Sequence, residues 1–96
     1  MDLSMALTLV YQAIDTVNDL RPADDQIAKT PDVALTGENG RLDSLALATL
    51  VLAVERKVAE ITGAEIALLD EAEFDPQFTR FATPTTLAAL ILEKLA

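Results

Sequence analysis

The sequence predicts an all-α fold, a small four-helix bundle with three main helices, a short third helix and a long first loop. Of the 96 residues, 51% are hydrophobic but only 4% are aromatic, so the core must consist mainly of Leu, Ile, Val and Ala. Apolar residues recur at spacings of three and four, the period of an amphipathic helix. Capping residues, prolines and a glycine mark the helix ends. At this length we expect one domain, residues 1–96.

The first helix is predicted over residues 3–20. Asp2 is placed to cap its N-terminus. Pro22 should end the helix, because a proline pushes the preceding Arg21 out of the α region. Its apolar face is predicted to consist of Leu3, Leu7, Val10, Ile14 and Val17.

Residues 21–43 form a long connection that contains two prolines and two glycines and lacks clear periodicity. A connection of this length inside a small domain is unusual and is often functional. We expect Val33 and Leu35 to pin it to the core and residues 24–28 to form a short turn of helix. The pair Asp24-Asp25 fits a turn or cap better than a general acid/base pair.

The second helix is predicted over residues 44–62, with Gly63 as the residue that closes it. Its charged residues lie toward the side opposite its apolar residues, which is typical of a helix packed on a core. The predicted apolar stripe consists of Leu47, Leu50, Val51, Val54, Val58 and Ile61.

Residues 64–75 are predicted to form a second connection, in which Ile66, Leu68 and Leu69 face inward. Its acidic residues lack the spacing and the central glycine of a calcium loop, so a solvated loop is the better interpretation and no metal site is expected. These acidic residues are Asp70, Glu71, Glu73 and Asp75.

Two further helix starts are predicted, each at a capping residue that is followed directly by proline. Asp75-Pro76 opens a short helix over residues 76–81, which carries Phe78 and Phe81 into the core. Thr83-Pro84 opens a last helix over residues 84–95. Its apolar face is predicted to consist of Leu87, Leu90, Ile91 and Leu95.

The composition excludes several classes of function. The chain has no cysteine and no histidine, which rules out disulfides, Ser-His-Asp and Cys-His catalysis, and zinc sites built on His or Cys. A net charge of −9 repels nucleic acid and anionic lipid, and either attracts a basic partner or serves solubility alone. The longest apolar tract, residues 45–54, is too short to span a bilayer. The N-terminus lacks the basic start of a secretory signal, so a cytoplasmic location is expected. We also expect the chain to be a monomer and not itself an enzyme.

Ser44 lies where a glycine-containing loop meets the start of the second helix. A hydroxyl at this position would be exposed, and the free N–H groups and helix dipole favour a phosphate there. The residue alone equally fits a simple N-cap, which is common for serine.

The segment Asp43-Ser44-Leu45 at the start of a second helix resembles the acyl carrier protein family. The predicted order of helices and loops follows that family over nearly the whole chain. The resemblance implies that the Ser44 hydroxyl carries 4′-phosphopantetheine, transferred from coenzyme A by a phosphopantetheinyl transferase. It also implies that Asp43 helps this transferase to position its metal and coenzyme A. Leu45 would lie near the arm or at a partner interface, or would belong to the ordinary core.

The function that this resemblance implies is tethering rather than catalysis. The thiol of the arm would hold an acyl or aminoacyl group as a thioester, loaded by a ligase and passed to a downstream transferase. The cargo stays open between fatty acyl, polyketide or malonyl units and an amino acid. In this family the core can open around an acyl chain. Such a space could be lined by Leu47, Val51, Ile66, Leu68 and Phe81.

The chain departs from well-known fatty-acid carriers in the residues after Ser44. Those carriers are acidic there, whereas this chain has Ala46, Leu47, Ala48 and Thr49. A specialised biosynthetic pathway is therefore expected. The alternative is a helical protein-interaction module without a prosthetic group, in which Ser44 is only a cap and the apolar face is a docking groove or dimer seam.

Overall fold

A computed structural model of the chain describes residues 1–37, 40–68 and 79–96. Within these ranges the chain is all-helical, without a β-strand, which confirms the predicted all-α class. Three α-helices pack into a small bundle, and two 3₁₀ turns lie in the connections. The helices are α1, Leu3–Asn18, α2, Ser44–Thr62, and α3, Pro84–Leu95, and the 3₁₀ turns are Ala23–Asp25 and Thr79–Phe81.

The short helix that the sequence predicts over residues 76–81 does not appear as an α-helix in the part of the chain that the structure describes. Residues 79–81 form a single 3₁₀ turn, and residues 76–78, with Phe78, lie outside the described residues. The described elements therefore form a bundle of three α-helices. The helical turn predicted near residues 24–28 is likewise a 3₁₀ turn, Ala23–Asp25.

Helix α1 begins as predicted, because the Asp2 side chain accepts a hydrogen bond from the Met5 amide (2.9 Å). It ends two residues earlier than predicted. The amides of Leu20 and Arg21 donate to the carbonyl oxygens three residues back (3.0 Å each), a 3₁₀ pattern that tightens the last turn before Pro22.

Asn18, the last residue of α1, is buried and holds the start of the long connection. Its side-chain amide donates to the Ile27 carbonyl (3.0 Å), and its side-chain oxygen accepts from the Ile27 amide (2.7 Å). Both backbone groups of a buried residue are thus satisfied by one side chain. Ile27 is thereby fixed against the end of α1, where it joins the core.

Helix α2 has the predicted bounds. Asp43 caps its start, and Gly63 closes it in a left-handed conformation (φ 74°), which glycine adopts without a Cβ penalty. Helix α3 also has the predicted bounds and begins at a capping box between Thr83 and Thr86.

One hydrophobic cluster joins the three helices. The apolar-face residues predicted for the helices belong to it or pack against it, with two exceptions. Leu3 of α1 and Ile61 of α2, both predicted to face inward, are exposed. Both lie at a helix end that extends beyond the core. The largest fully buried side chains include Phe81, Leu9, Ile14, Leu35, Leu50, Leu68, Leu87, Leu90 and Ile91.

The long first connection is tied to the bundle by backbone hydrogen bonds. The Leu35 amide donates to the Ala82 carbonyl (2.8 Å), and the Leu42 amide donates to the Leu35 carbonyl (3.2 Å). Leu35 is fully buried and Val33 is half-buried, which confirms that both pin this segment. The residues just before α2 are therefore held by the core.

Gly40 allows the connection to fold closely on itself. A Cβ at this position would lie 2.5 Å from the Thr36 backbone, a distance that no side chain tolerates. The Gly40 amide also donates to the Gly37 carbonyl (3.0 Å).

Among the described helices, none has the length and apolar character needed to cross a membrane.

Candidate functional site

Ser44 is the first residue of α2, and its side chain is exposed. The preceding residue, Asp43, is the N-cap: its carboxylate accepts from the Ala46 amide (2.7 Å), and its carbonyl accepts from the Leu47 amide (2.9 Å). The alternative in which Ser44 is the N-cap is therefore wrong. Asp43 holds the capping position because its backbone is extended and its carboxylate reaches the amide of the third helical residue, whereas Ser44 is already helical.

The Ser44 hydroxyl forms no hydrogen bond with the described part of the chain. A serine at a helix start that neither caps nor packs contributes little to folding. The Ser44 side chain is accessible from solution.

Leu45 is 78% exposed, so the interpretation of this residue as ordinary core is wrong. Single exposed leucines are common on protein surfaces, so this exposure alone does not indicate a function. Leu45 does have an apolar neighbour, because Leu20, which follows the end of α1, lies across a surface cavity from it.

This cavity, of about 270 Å³, lies between the end of α1 and the start of α2. Its walls are mainly apolar, with two charged groups at the rim. The lining residues are Val17, Leu20, Arg21, Asp43, Leu45, Ala46 and Thr49. Sequence reasoning missed this cavity, since it forms only when α1 and α2 pack together.

A charge cluster fixes the connection that leads to Ser44. Asp25 forms ion pairs with Arg21 (2.9 Å) and with Arg41. Arg21 also donates through Nε to the Asp25 carbonyl (2.7 Å), and Arg41 donates to the Gln26 carbonyl (3.0 Å). Asp25 thus joins the end of α1 to a residue only three positions before Ser44, which restricts where α2 can begin.

Opposing effects set the pKa of the Asp25 carboxyl. Partial removal from water raises it, whereas the hydrogen bond and charge of Arg21 and the charge and hydrogen bond of Arg41 lower it by more in sum. The pKa therefore lies below the ordinary value of 3.8.

Because the folded pKa of Asp25 is lowered, its contribution to stability is complete above the unfolded pKa of 3.8 and is lost as the pH falls through the folded pKa. We expect Asp25→Asn to lower the thermal midpoint modestly at neutral pH, with the difference from the wild type vanishing in strong acid. Thermal unfolding followed by circular dichroism, at neutral pH and in strong acid, measures the difference between the two midpoints. Asp24→Asn removes the same charge from the same turn without the ion pairs; a pH-dependent loss of equal size in that control would contradict the role of the cluster.

The residues predicted to line an acyl space lie in the core. Leu47, Val51, Leu68 and Phe81 are buried in one cluster, and Ile66 is half-buried against it. The acidic residues of the second connection, Asp70 to Asp75, lie outside the described residues, as does Leu69. In the described ranges no group of acidic side chains is arranged to hold a metal ion.

Asp43 and Leu45, the residues on either side of Ser44, line one cavity, and Asp43 rather than Ser44 caps α2. A covalently attached phosphate ester fits this position, because the Ser44 side chain is exposed and the first N–H groups of a helix have no partner within the helix. Comparisons with protein-family models, with curated proteins and with solved structures find no match to this chain.

Proposed function

We propose that this chain is a carrier protein of the acyl-carrier type, which tethers an acyl or aminoacyl group as a thioester on a 4′-phosphopantetheine arm at Ser44. The observation that carries the proposal is the exposed Ser44 hydroxyl at the first residue of α2, beside an aspartate that supplies the N-cap. Nothing in the local fold requires a hydroxyl at this position.

Each residue of Asp43-Ser44-Leu45 has a separate role in the proposal. Ser44 supplies the oxygen that is esterified. Asp43 caps the first turn of α2 through one carboxylate oxygen. Its second carboxylate oxygen would help the modifying transferase to position its metal and coenzyme A. Leu45, exposed at the cavity rim, provides an apolar contact for the arm or for the transferase. The arm, when attached, supplies the thiol that carries the cargo, since the chain itself has no cysteine.

The proposed partners are a phosphopantetheinyl transferase, a loading ligase and a downstream transferase. The charge distribution favours dedicated enzymes of a specialised pathway. Although the net charge is −9, the first three turns of α2 after Ser44 contain no acidic residue until Glu55. Partners that recognise an acidic second helix through a basic face would find no complementary charge here.

The proposal predicts that the wild-type chain gains one phosphopantetheine group from coenzyme A in the presence of a promiscuous phosphopantetheinyl transferase. Intact-mass spectrometry before and after incubation measures the gain, and peptide mapping assigns it to Ser44. A known carrier protein in the same reaction shows that the transferase is active. A folded chain that gains no mass while this control is modified would contradict the proposal.

A second candidate function is a helical interaction module without a prosthetic group. The observation that favours it is the exposed apolar surface on α2, where Leu45 and Leu52 both face solvent. Such a surface is typical of a site where another protein binds. The mass measurement distinguishes the two functions, because only a carrier requires a covalent arm.

A further inference from the structure

Arg41 lies three residues before Ser44, and its side chain reaches the other end of the long connection. The guanidinium forms an ion pair with Asp25 and donates to the Gln26 carbonyl (3.0 Å). Asp25 is itself attached to the end of α1, because Arg21 pairs with its carboxylate (2.9 Å) and donates to its carbonyl (2.7 Å). Arg41 thus joins the segment before α2 to the end of α1.

The segment that leads into α2 is held on two sides. Toward the core, the Leu42 amide donates to the Leu35 carbonyl (3.2 Å), and the Leu42 side chain packs against the hydrophobic cluster. Toward the surface, the attachment is the pair between Arg41 and Asp25. With both attachments in place, the segment enters α2 in one direction, which fixes where Ser44 is presented.

The pair between Arg41 and Asp25 lies at the surface, with side chains 44% and 45% exposed. An ion pair in such a position adds little to the free energy of unfolding, since water and salt screen it. A short segment, however, opens at a much lower free-energy cost than the whole domain, so the same pair supplies a larger share of that cost. Its main effect is therefore on the local order of the segment before Ser44.

We propose that Arg41 and Asp25 are positioning residues for the modification of Ser44, which hold the start of α2 in the orientation that the modifying transferase accepts. This inference rests on the proposed carrier function. A transferase that binds an ordered segment does not lose affinity by ordering it, and the hydroxyl is already placed for the reaction. Neither positioning residue needs to touch the transferase or the arm.

The step that depends on this placement is the transfer itself. The Ser44 oxygen bonds to the phosphorus of coenzyme A that bears the pantetheine group. The bond from this phosphorus to the leaving adenosine bisphosphate breaks, and the hydroxyl proton passes to a base of the transferase. Such a displacement needs the attacking oxygen at a defined distance and direction, so a segment that opens more often reacts more slowly.

Arg41→Gln tests the positioning. The kcat/KM of a phosphopantetheinyl transferase for this variant, followed by intact mass, should fall about tenfold, while the thermal midpoint stays close to that of the wild type. Lys29→Gln is the matched control, because it removes the same charge from the same connection. Lys29 pairs with Asp15 of α1 (2.9 Å) and is 48% exposed, but it lies farther from Ser44 along the chain. This control should be modified at the wild-type rate.

Asp25→Asn separates positioning from direct recognition of Arg41 by the transferase. If Arg41 acts through Asp25, Asp25→Asn should slow the modification about as much as Arg41→Gln does. The double variant should then be no slower than the slower single variant. If Arg41→Gln slowed the modification while Asp25→Asn left the rate unchanged, Arg41 would contact the transferase or coenzyme A directly, and the positioning role would be wrong.

Amide hydrogen exchange gives a readout that does not need the arm. The Ala46 and Leu47 amides donate to Asp43 (2.7 and 2.9 Å) and so report the order of the start of α2. Both should exchange faster in Arg41→Gln than in the wild type or in Lys29→Gln. Unchanged exchange overturns the proposal, as does equal slowing of the modification by Lys29→Gln. A wild type that gains no arm would contradict the carrier function, whereas the exchange rates would still decide whether Arg41 orders this segment.

Discussion

Ser44→Ala is expected to abolish the gain of phosphopantetheine and to leave the fold unchanged. The substitution removes the only oxygen at this position that can form the phosphodiester. It leaves the cap of α2 intact, because the Ala46 amide donates to Asp43 and not to Ser44. The free energy of unfolding should change by less than about 0.5 kcal/mol, as for other exposed substitutions away from caps and core. Intact mass after incubation with coenzyme A and transferase, together with thermal unfolding, measures both effects.

Ser4→Ala provides the matched control for this experiment. Ser4 is an exposed serine in the first turn of α1, a helix that is also capped by an aspartate, Asp2. The Ser4→Ala variant should be modified at Ser44 to the same extent as the wild type. If Ser44→Ala still gained the arm, or if Ser4→Ala lost it, the assignment of the site to Ser44 would be wrong.

The sequence predicted the helices well where their ends depend on neighbouring residues. The bounds of α2 and α3 follow from Asp43, Gly63 and the pair Thr83-Pro84, whose effects act within one turn. The same local signals placed Ser44 at the start of a helix. They did not distinguish which of two adjacent capping residues, Asp43 or Ser44, would act as the cap.

The features that the sequence did not predict depend on contacts between distant residues. Asn18 reaches the backbone of Ile27, nine residues away, and Arg41 reaches Asp25, sixteen residues away. Neither contact has a periodic pattern. Only the i, i+4 spacing of Arg21 and Asp25 hinted at part of the charge cluster.

The exposure of Leu3 and Ile61 was missed for a related reason. Helical periodicity identifies a face, but it does not say how far along the helix that face remains covered. Both residues continue an apolar face past the point where another element packs on it. Leu45 and Leu52 are exposed for a different reason, since they lie on the outer side of α2, away from the buried residues Leu50 and Val54.

Phe81→Ala is expected to destabilise the chain by about 3–5 kcal/mol, the usual loss for a large aromatic side chain removed from a core. Phe81 is fully buried, although it lies in a 3₁₀ turn rather than in an α-helix. The next residue, Ala82, accepts the hydrogen bond from Leu35 that pins the long connection (2.8 Å). A cavity here would therefore loosen both α3 and the segment that leads to Ser44. Urea unfolding followed by far-UV circular dichroism measures the loss.

In a domain of this size a loss of that magnitude could unfold the chain, since total stabilities are on the order of 5–15 kcal/mol. Phe81→Leu keeps most of the volume and should cost less than about 1.5 kcal/mol, so it keeps the comparison measurable. Leu20→Ala serves as the control, because it removes a large apolar side chain that is 76% exposed and should change stability by less than about 0.5 kcal/mol. If Phe81→Ala cost no more than Leu20→Ala, Phe81 would not be part of the core. The graded order of the three variants would instead show that Phe81 is packed in the core that the helices share with Leu35 of the long connection.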